Sequence, residues 1–172
     1  INAGKPQVVY AREVDFSHEP NLYGLFANKR AALQTLQSLA DELQLCYGLL
    51  GLEATTRGRA CFRSALKRCA GACCGKESVE EHHARFMAGL ASISVNCWPW
   101  EGAVALKETR DGMTHYHIIR NWLWLGAVEN LDDATALLRT PAGFDQDGYK
   151  ILCKPLLTGK YEIIVLNDPA AR

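Results

Sequence analysis

The placement of the cysteines constrains this chain more than any other feature. Five of the seven fall between residues 46 and 74, as Cys46, Cys61, Cys69, Cys73 and Cys74, while Cys97 and Cys153 stand apart. An odd number of cysteines, crowded into one stretch and preceded by no charged-then-apolar leader, does not read as a disulfide framework. The spacing Cys46-x14-Cys61-x7-Cys69-x3-Cys73 suits a site assembled from separate elements. If helix runs through Cys69 and Cys73, four positions apart, both thiols project from one side of one turn. Four thiolates fit either tetrahedral zinc or an iron–sulfur cluster. Structural zinc sites usually pair two short Cys-x2–4-Cys knuckles, and only one close pair is present here. The spacing alone leaves three readings open: reduced thiols without metal, zinc, and a 4Fe-4S cluster. Cys74 competes with Cys73 for the fourth position. Cys97 and Cys153, in apolar surroundings, read as small core residues.

The chain of 172 residues is 48% hydrophobic, enough for a packed core without covalent staples. Gln7–Ala11 predicts a short strand. Leu33, Leu36, Leu39, Ala40 and Leu43 recur at helical spacing behind Asn28, which predicts a capped helix over residues 28–45. A connector from Gly48 to Gly58 leads to a short helix, with Phe62, Leu66 and Cys69 on an inward face and Arg63 and Lys67 on another. Ser78-Val79-Glu80-Glu81 has the form of a capping box opening a helix to about Ser92, with Phe86 and Leu90 inward. Beyond Trp98-Pro99-Trp100 the pattern changes. Gly102–Leu106 and Thr114 to about Val128 read as strands joined by a turn at Asp111-Gly112. A helix capped at Asn130 runs through Leu138, another runs from Asp145 towards Leu152 and stops before Pro155, and a last strand covers Tyr161–Leu166. The expectation is an α+β protein: a helical cysteine-cluster subdomain over residues 1–95, then a small β-β-α-α-β subdomain over 96–172. Asn2-Ala3-Gly4-Lys5-Pro6 reads as a polar connector, as though the chain were part of something longer. No apolar run approaches the ~18–20 residues of a membrane span, so a cytoplasmic protein with no membrane partner is expected.

Charge is balanced overall, with 19 basic and 19 acidic residues, but it is not evenly spread. From Ala54 to Lys76 no acidic residue occurs, while Arg57, Arg59, Arg63, Lys67, Arg68 and Lys76 do. Arg59, Arg63 and Lys67 step by four, which predicts a basic stripe able to meet backbone phosphates; a solvated helix face is the plainer alternative. His115 and His117 alternate on a strand and would form half a metal site with no matching partner. His82 and His83 read as solvated. The two Trp-x-Trp pairs read as sheet core rather than as stacking platforms for bases. Glu108, Asp111, Asp145 and Asp147 are the raw material for a carboxylate phosphodiesterase site, but Asp111 suits a turn and Asp145 a helix cap. No phosphate-cradling glycine loop or nucleophile elbow is present, and the residues describe a binding module more readily than an enzyme.

Several runs carry a family resemblance. Tyr23-Gly24-Leu25-Phe26, Arg30-Ala31-Ala32-Leu33, Leu45-Cys46, Gly58-Arg59-Ala60-Cys61-Phe62 and Lys67-Arg68-Cys69-Ala70-Gly71-Ala72-Cys73 together resemble the segment that follows the GIY-YIG nuclease domain in the UvrC family of DNA-repair endonucleases. Cys97-Trp98-Pro99-Trp100, Tyr116-His117-Ile118-Ile119, Asn121-Trp122 and Gly148-Tyr149-Lys150-Ile151-Leu152 look like the short, Cho-type branch of that family. The resemblance covers essentially the whole chain. It implies nucleotide excision repair within the SOS response, with incision on the 3′ side of a lesion after UvrB is loaded. The implied partners are UvrB, damaged double-stranded DNA and the protein's own N-terminal GIY-YIG domain. It also implies a 4Fe-4S cluster on Cys46, Cys61, Cys69 and Cys73. The GIY-YIG motif itself, the tandem helix-hairpin-helix and the RNase H-like nuclease of full UvrC have no counterpart in these residues. The expectation is therefore an iron–sulfur-stabilised DNA- or UvrB-binding region without a cutting site; the alternatives are a zinc-stabilised protein-interaction module and a domain with its own metal-dependent phosphodiesterase site.

Overall fold

A computed structural model describes residues 5–16, 18–54 and 58–168, and within them the chain forms two compact units. The first comprises residues up to Val9 together with Asn21–Val95; the second comprises Tyr10–Pro20 and everything from Asn96 onward. No helix among the described residues is long and apolar enough to cross a membrane.

The first unit is built on helix α1, Lys29–Glu42, and helix α3, Val79–Leu90, with a one-turn helix α2, Phe62–Ala65, between them in sequence. Asn28 caps α1 by accepting the backbone N–H of Ala31 at 2.9 Å. Ser78 and Glu81 form the reciprocal capping box foreseen for α3. Ala40, Leu45, Leu50, Phe86 and Leu90 make a buried apolar cluster, edged by Leu36, Leu39 and Leu43. Gly89 allows the close approach this requires, because a Cβ there would lie 2.4 Å from a Leu43 methyl and 2.9 Å from one of Leu39. Tyr23 and Ser94 bridge the two ends of the unit in antiparallel fashion.

The second unit is a four-stranded antiparallel sheet in the order β3-β2-β1-β4, with β1 Ala103–Arg110, β2 Met113–Arg120, β3 Leu123–Val128 and β4 Glu162–Val165. Helices α4, Ala134–Leu137, and α5, Gln146–Leu157, intervene before β4. Ala103, Ala105 and Ile118 of the sheet pack with Ala134 and Leu138. A buried ion pair closes the unit: Arg120 donates to the carbonyls of Leu138 and Thr140 and meets the Asp168 carboxylate at 3.4 Å.

The chain is α+β, as expected, with three departures from the sequence reading. Gln7–Ala11 is not a strand; Val8, Val9 and Tyr10 are exposed and Ala11 already belongs to a 3-10 turn, Ala11–Glu13, because β propensity without a neighbouring strand to pair with does not make a strand. The stretch 114–128 is two strands rather than one, giving β-β-β-α-α-β. The chain reverses at Asn121-Trp122, where φ is 48° and 67°, as a two-residue type I′ hairpin requires. A buried tryptophan gives no turn signal in sequence. Here it takes the left-handed conformation because its ring is wholly buried, meeting Trp98 edge-on at 5.2 Å and Tyr149 at 5.0 Å. Finally, α5 runs through Pro155 to Leu157, because Thr158 fastens the last turn by donating both its N–H and its hydroxyl to the Lys154 carbonyl.

Candidate metal centre

Each cysteine of the cluster is delivered by a different local device. Gln44 takes a left-handed φ of 53° and ends α1, and the Leu45 N–H returns to the Ala40 carbonyl, which sets Cys46 just beyond the helix. Cys61 is the cap residue before α2. Cys69 follows the turn at Lys67, and Gly71, with φ 96°, starts the 3-10 turn Ala72–Cys74 that carries Cys73. Cys69 and Cys73 therefore do not share a continuous helix; the glycine, not helical periodicity, brings them together.

The Sγ atoms of Cys46, Cys61, Cys69 and Cys73 all lie within 4.8 Å of one another. Cys46 and Cys69 are buried and Cys61 and Cys73 half-buried. Cys74 turns away, its thiol on the Gly71 carbonyl at 3.3 Å. Every sulfur of the four accepts a backbone N–H: Gly48 and Leu49 donate to Cys46, Ser64 to Cys61, Gly71 to Cys69 at 3.4 Å, and Cys61 to Cys73 at 3.4 Å. Donors converging on all four sulfurs stabilise thiolate charge and hold ligand orientation. Burial pushes the Cys69 thiol up to about 12 and raises Cys46. At Cys61 burial also acts upward, but hydrogen bonds from the Ser64 N–H and the neighbouring thiols outweigh it and bring its pKa down. Four crowded thiols of which burial keeps two protonated are the arrangement that a bound cation resolves by displacing protons. The four residues can hold a metal ion, and among the described residues no other group of His, Cys, Asp and Glu converges in this way.

Two further residues support the centre. His82 is buried and accepts the Cys46 N–H on Nε2 at 3.0 Å, so its proton sits on Nδ1; burial lowers its pKa and keeps it neutral. The expectation that His82 is solvated is thus wrong, while His83, its neighbour on α3, is exposed. Arg85 pairs with Glu77, donates from Nε to the Leu43 carbonyl at 2.8 Å, and lies close enough to Cys69 to favour its thiolate form. The helical spacing of Cys46-contacting and Cys69-facing residues at positions 82 and 85, one turn apart and in line with Phe86, was the available signal.

The basic stretch is arranged differently from the sequence expectation. Because α2 ends at Ala65 and Lys67 has φ 58°, Arg59, Arg63 and Lys67 form no continuous stripe. Arg63 points inward: its guanidinium lies 3.7 Å over the Tyr47 ring, pairs with Asp41 and donates to the Arg68 carbonyl. Phe62 and Leu66, expected inside, are exposed. The one-turn helix is inside out because a planar guanidinium with three partners fills the inward position. Arg59, Lys67, Arg68 and Lys76 are exposed, and among the described residues none of them is ion-paired. Arg57 lies outside the described residues.

In the second unit the titratable groups are dispersed. His117 pairs with Glu108 at 3.0 Å, Asp111 sits in the β1–β2 turn beside Arg110, Asp145 caps α5, and Asp147 faces Lys150. Trp98 and Trp122 are core residues, as expected, whereas Trp124 is exposed.

Residues 1–92 match the family model described as UvrC/Cho excinuclease, middle domain, and residues 103–170 match that of the excinuclease Cho C-terminal domain. Proteins named excinuclease cho from Shigella flexneri and Escherichia coli K12 are each 71% identical over 170 residues, covering 99% of this chain and 57% of their own length. The excinuclease cho of Salmonella typhi is 71% identical over 167 residues. The chain thus spans a little over half the length, 57%, of these curated relatives. No solved structure matches.

Proposed function

The chain belongs to the UvrC/Cho excinuclease family of DNA-repair proteins, and we propose that it is the DNA-holding, metal-stabilised part of a nucleotide excision repair endonuclease of the SOS response. In this reading it works in the cytoplasm with UvrB on damaged double-stranded DNA. The 3′ incision belongs to a GIY-YIG nuclease domain, and this chain contributes grip and placement rather than a cutting site. The two compact units act as two domains, the helical one carrying the metal and the exposed cations Arg59, Lys67, Arg68 and Lys76, the sheet-based one presenting a surface to UvrB.

The observation that carries the reading is the set of four thiols within 4.8 Å, each accepting a backbone N–H. We assign the site a 4Fe-4S cluster: an all-thiolate, largely buried donor set with N–H groups aimed at the sulfurs suits such a cluster. When bound, it would tie the end of α1 to the segment 61–73. A second reading has one observation in its favour. Tetrahedral zinc with Zn–S near ~2.3 Å holds its sulfurs ~3.8 Å apart, closer to the present spacing than a cube with iron at four corners, which needs the thiolates spread wider. That reading makes the helical unit a zinc-stabilised interaction module.

Metal and sulfide content, with an absorption spectrum, on protein purified without oxygen separates the two. About four irons and four sulfides per chain are expected; one zinc and no sulfide would establish the second reading, and no metal at all would remove both. Binding to nicked or damaged duplex, falling steeply with salt and weakened by Lys67→Ala/Arg68→Ala, is the test of the DNA role.

A further inference from the structure

The most exposed large apolar side chain among the described residues is Phe62, at 77%, and Leu66, four positions on, is 52% exposed. Neither exposure comes from a loose backbone. The segment that carries them starts at Cys61 and ends at Cys69, both in the metal centre. Arg63 anchors its inner side on Asp41 and Tyr47. Gln44 donates from Nε2 to the Lys67 carbonyl at 3.3 Å, and its own carbonyl accepts the Ala70 N–H at 3.0 Å. Lys67 is held at φ 58°, a conformation that side chains other than glycine rarely adopt. A rigid, strained turn thus displays an aromatic ring and a leucine to solvent, where they contribute nothing to the core.

The surroundings identify what such a knuckle meets. Its own stretch, residues 54–76, has no acidic residue, and Arg59, Lys67 and Arg68 next to it are exposed. An apolar tip flanked along its own segment by cations unpaired among the described residues, with the nearby Asp41 carboxylate taken up by Arg63 and Tyr47, fits a polyanion that also offers flat apolar faces. A nucleic acid has both: phosphates for the cations and base faces for the ring. Base faces are hidden inside an intact duplex and become accessible where a base is unpaired or a step is kinked.

Resting on the DNA-holding reading above, we propose that Phe62, backed by Leu66, stacks on a base lifted from a distorted duplex while Arg59, Lys67 and Arg68 take the neighbouring phosphates. The knuckle senses loss of stacking, not sequence, and the metal centre beneath it serves as its rigid mount.

The test uses the metal-loaded protein and two duplexes of equal length, one fully paired and one with a central unpaired bulge containing 2-aminopurine. The wild type is expected to favour the bulged duplex and to quench the probe. Phe62→Ala is expected to lose that preference by about tenfold or more, the loss of one base–aromatic stack. Its metal content should be unchanged, and its binding to paired duplex should change less than about twofold. Phe62→Trp should keep the quench. Lys67→Ala should instead weaken both duplexes and lower the salt slope by about one. A metal-loaded Phe62→Ala that keeps preference and quench overturns the proposal, as does one that loses affinity for a protein partner only. A wild type that binds both duplexes equally overturns it while leaving the DNA-holding role intact. A wild type that binds neither duplex removes both.

Discussion

The two units of this chain solve the problem of holding a small fold together in different ways. The sheet-based unit does so by burial: Ala103, Val104, Ala105, Ile118, Ile119 and Trp122 are almost fully sequestered, and an internal Arg120–Asp168 pair ties strand to C-terminal segment. The helical unit has a smaller apolar cluster on α1 and α3, and that cluster does not extend over the segment 58–76. Helix α2 is a single turn with its apolar side chains outside. What this segment has instead is four converging thiols and the inward-facing Arg63 guanidinium. With the thiols holding metal as proposed, the segment could display apolar and cationic groups outward, because its stability would not depend on turning them inward.

Removing the ligands should break the comparison most sharply. A Cys69→Ala/Cys73→Ala variant, or chelation of the metal, should unfold the helical unit, since structural metal in small domains contributes ~10 kcal/mol or more. All four tryptophans, Trp98, Trp100, Trp122 and Trp124, lie in the other unit. The expected result is a loss of helical circular dichroism with tryptophan emission unchanged. A concerted loss of both signals would mean that the units do not fold separately. The converse change is Arg120→Ala, which leaves Asp168 without its buried guanidinium and should cost about 3 kcal/mol. It should appear as a tryptophan transition at lower urea, with metal content intact. If metal is lost as well, the division of labour fails from the other side.

How far each unit was legible in sequence follows from the same contrast. Local signals carried the elements that end in caps or turns: Asn28 before α1, the Ser78–Glu81 box before α3, Asp111-Gly112 between β1 and β2. The cysteines could be picked out by crowding, and they do lie together. What local pattern could not show is where tertiary partners override it. Arg63 looks like a surface cation in sequence and turns inward because Asp41, Tyr47 and the Arg68 carbonyl, distant or non-periodic neighbours, accept it together. Trp122 carries no turn signal, and its left-handed backbone is maintained by a ring stack assembled from Trp98 and Tyr149. His82 reads as half of a solvated pair until Cys46, 36 positions away, supplies the N–H that defines its role.

A smaller effect is expected where the helical unit's inner guanidinium is removed. Arg63→Ala should cost about 1–2 kcal/mol, because it ends a half-screened pair with Asp41 and the stack over Tyr47. Urea melts followed by helical circular dichroism would show it, with the tryptophan transition of the second unit unmoved.

The smallest effects are those of pH, and they differ in sign at the two ends of the scale. The Asp41 carboxyl is held below its ordinary value first by the Tyr47 hydroxyl and then by Arg63. Its contribution is therefore present above pH ~4 and is lost as pH falls through the lowered folded value. In metal-free protein, Cys69 is raised to about 12 by burial, so the thiol's contribution is present below the ordinary thiol pKa and is lost as pH climbs towards that value. Metal reverses the alkaline arm, because it binds the thiolate and releases the proton. The metal-loaded unit should accordingly weaken in acid and show no thiol-linked loss in alkali. Urea midpoints of the metal-loaded protein from pH 3 to 10, read by helical circular dichroism, check this. An alkaline loss that persists in the metal-loaded protein would show that Cys69 is not a ligand, and would leave the sharpest difference between the two units without its cause.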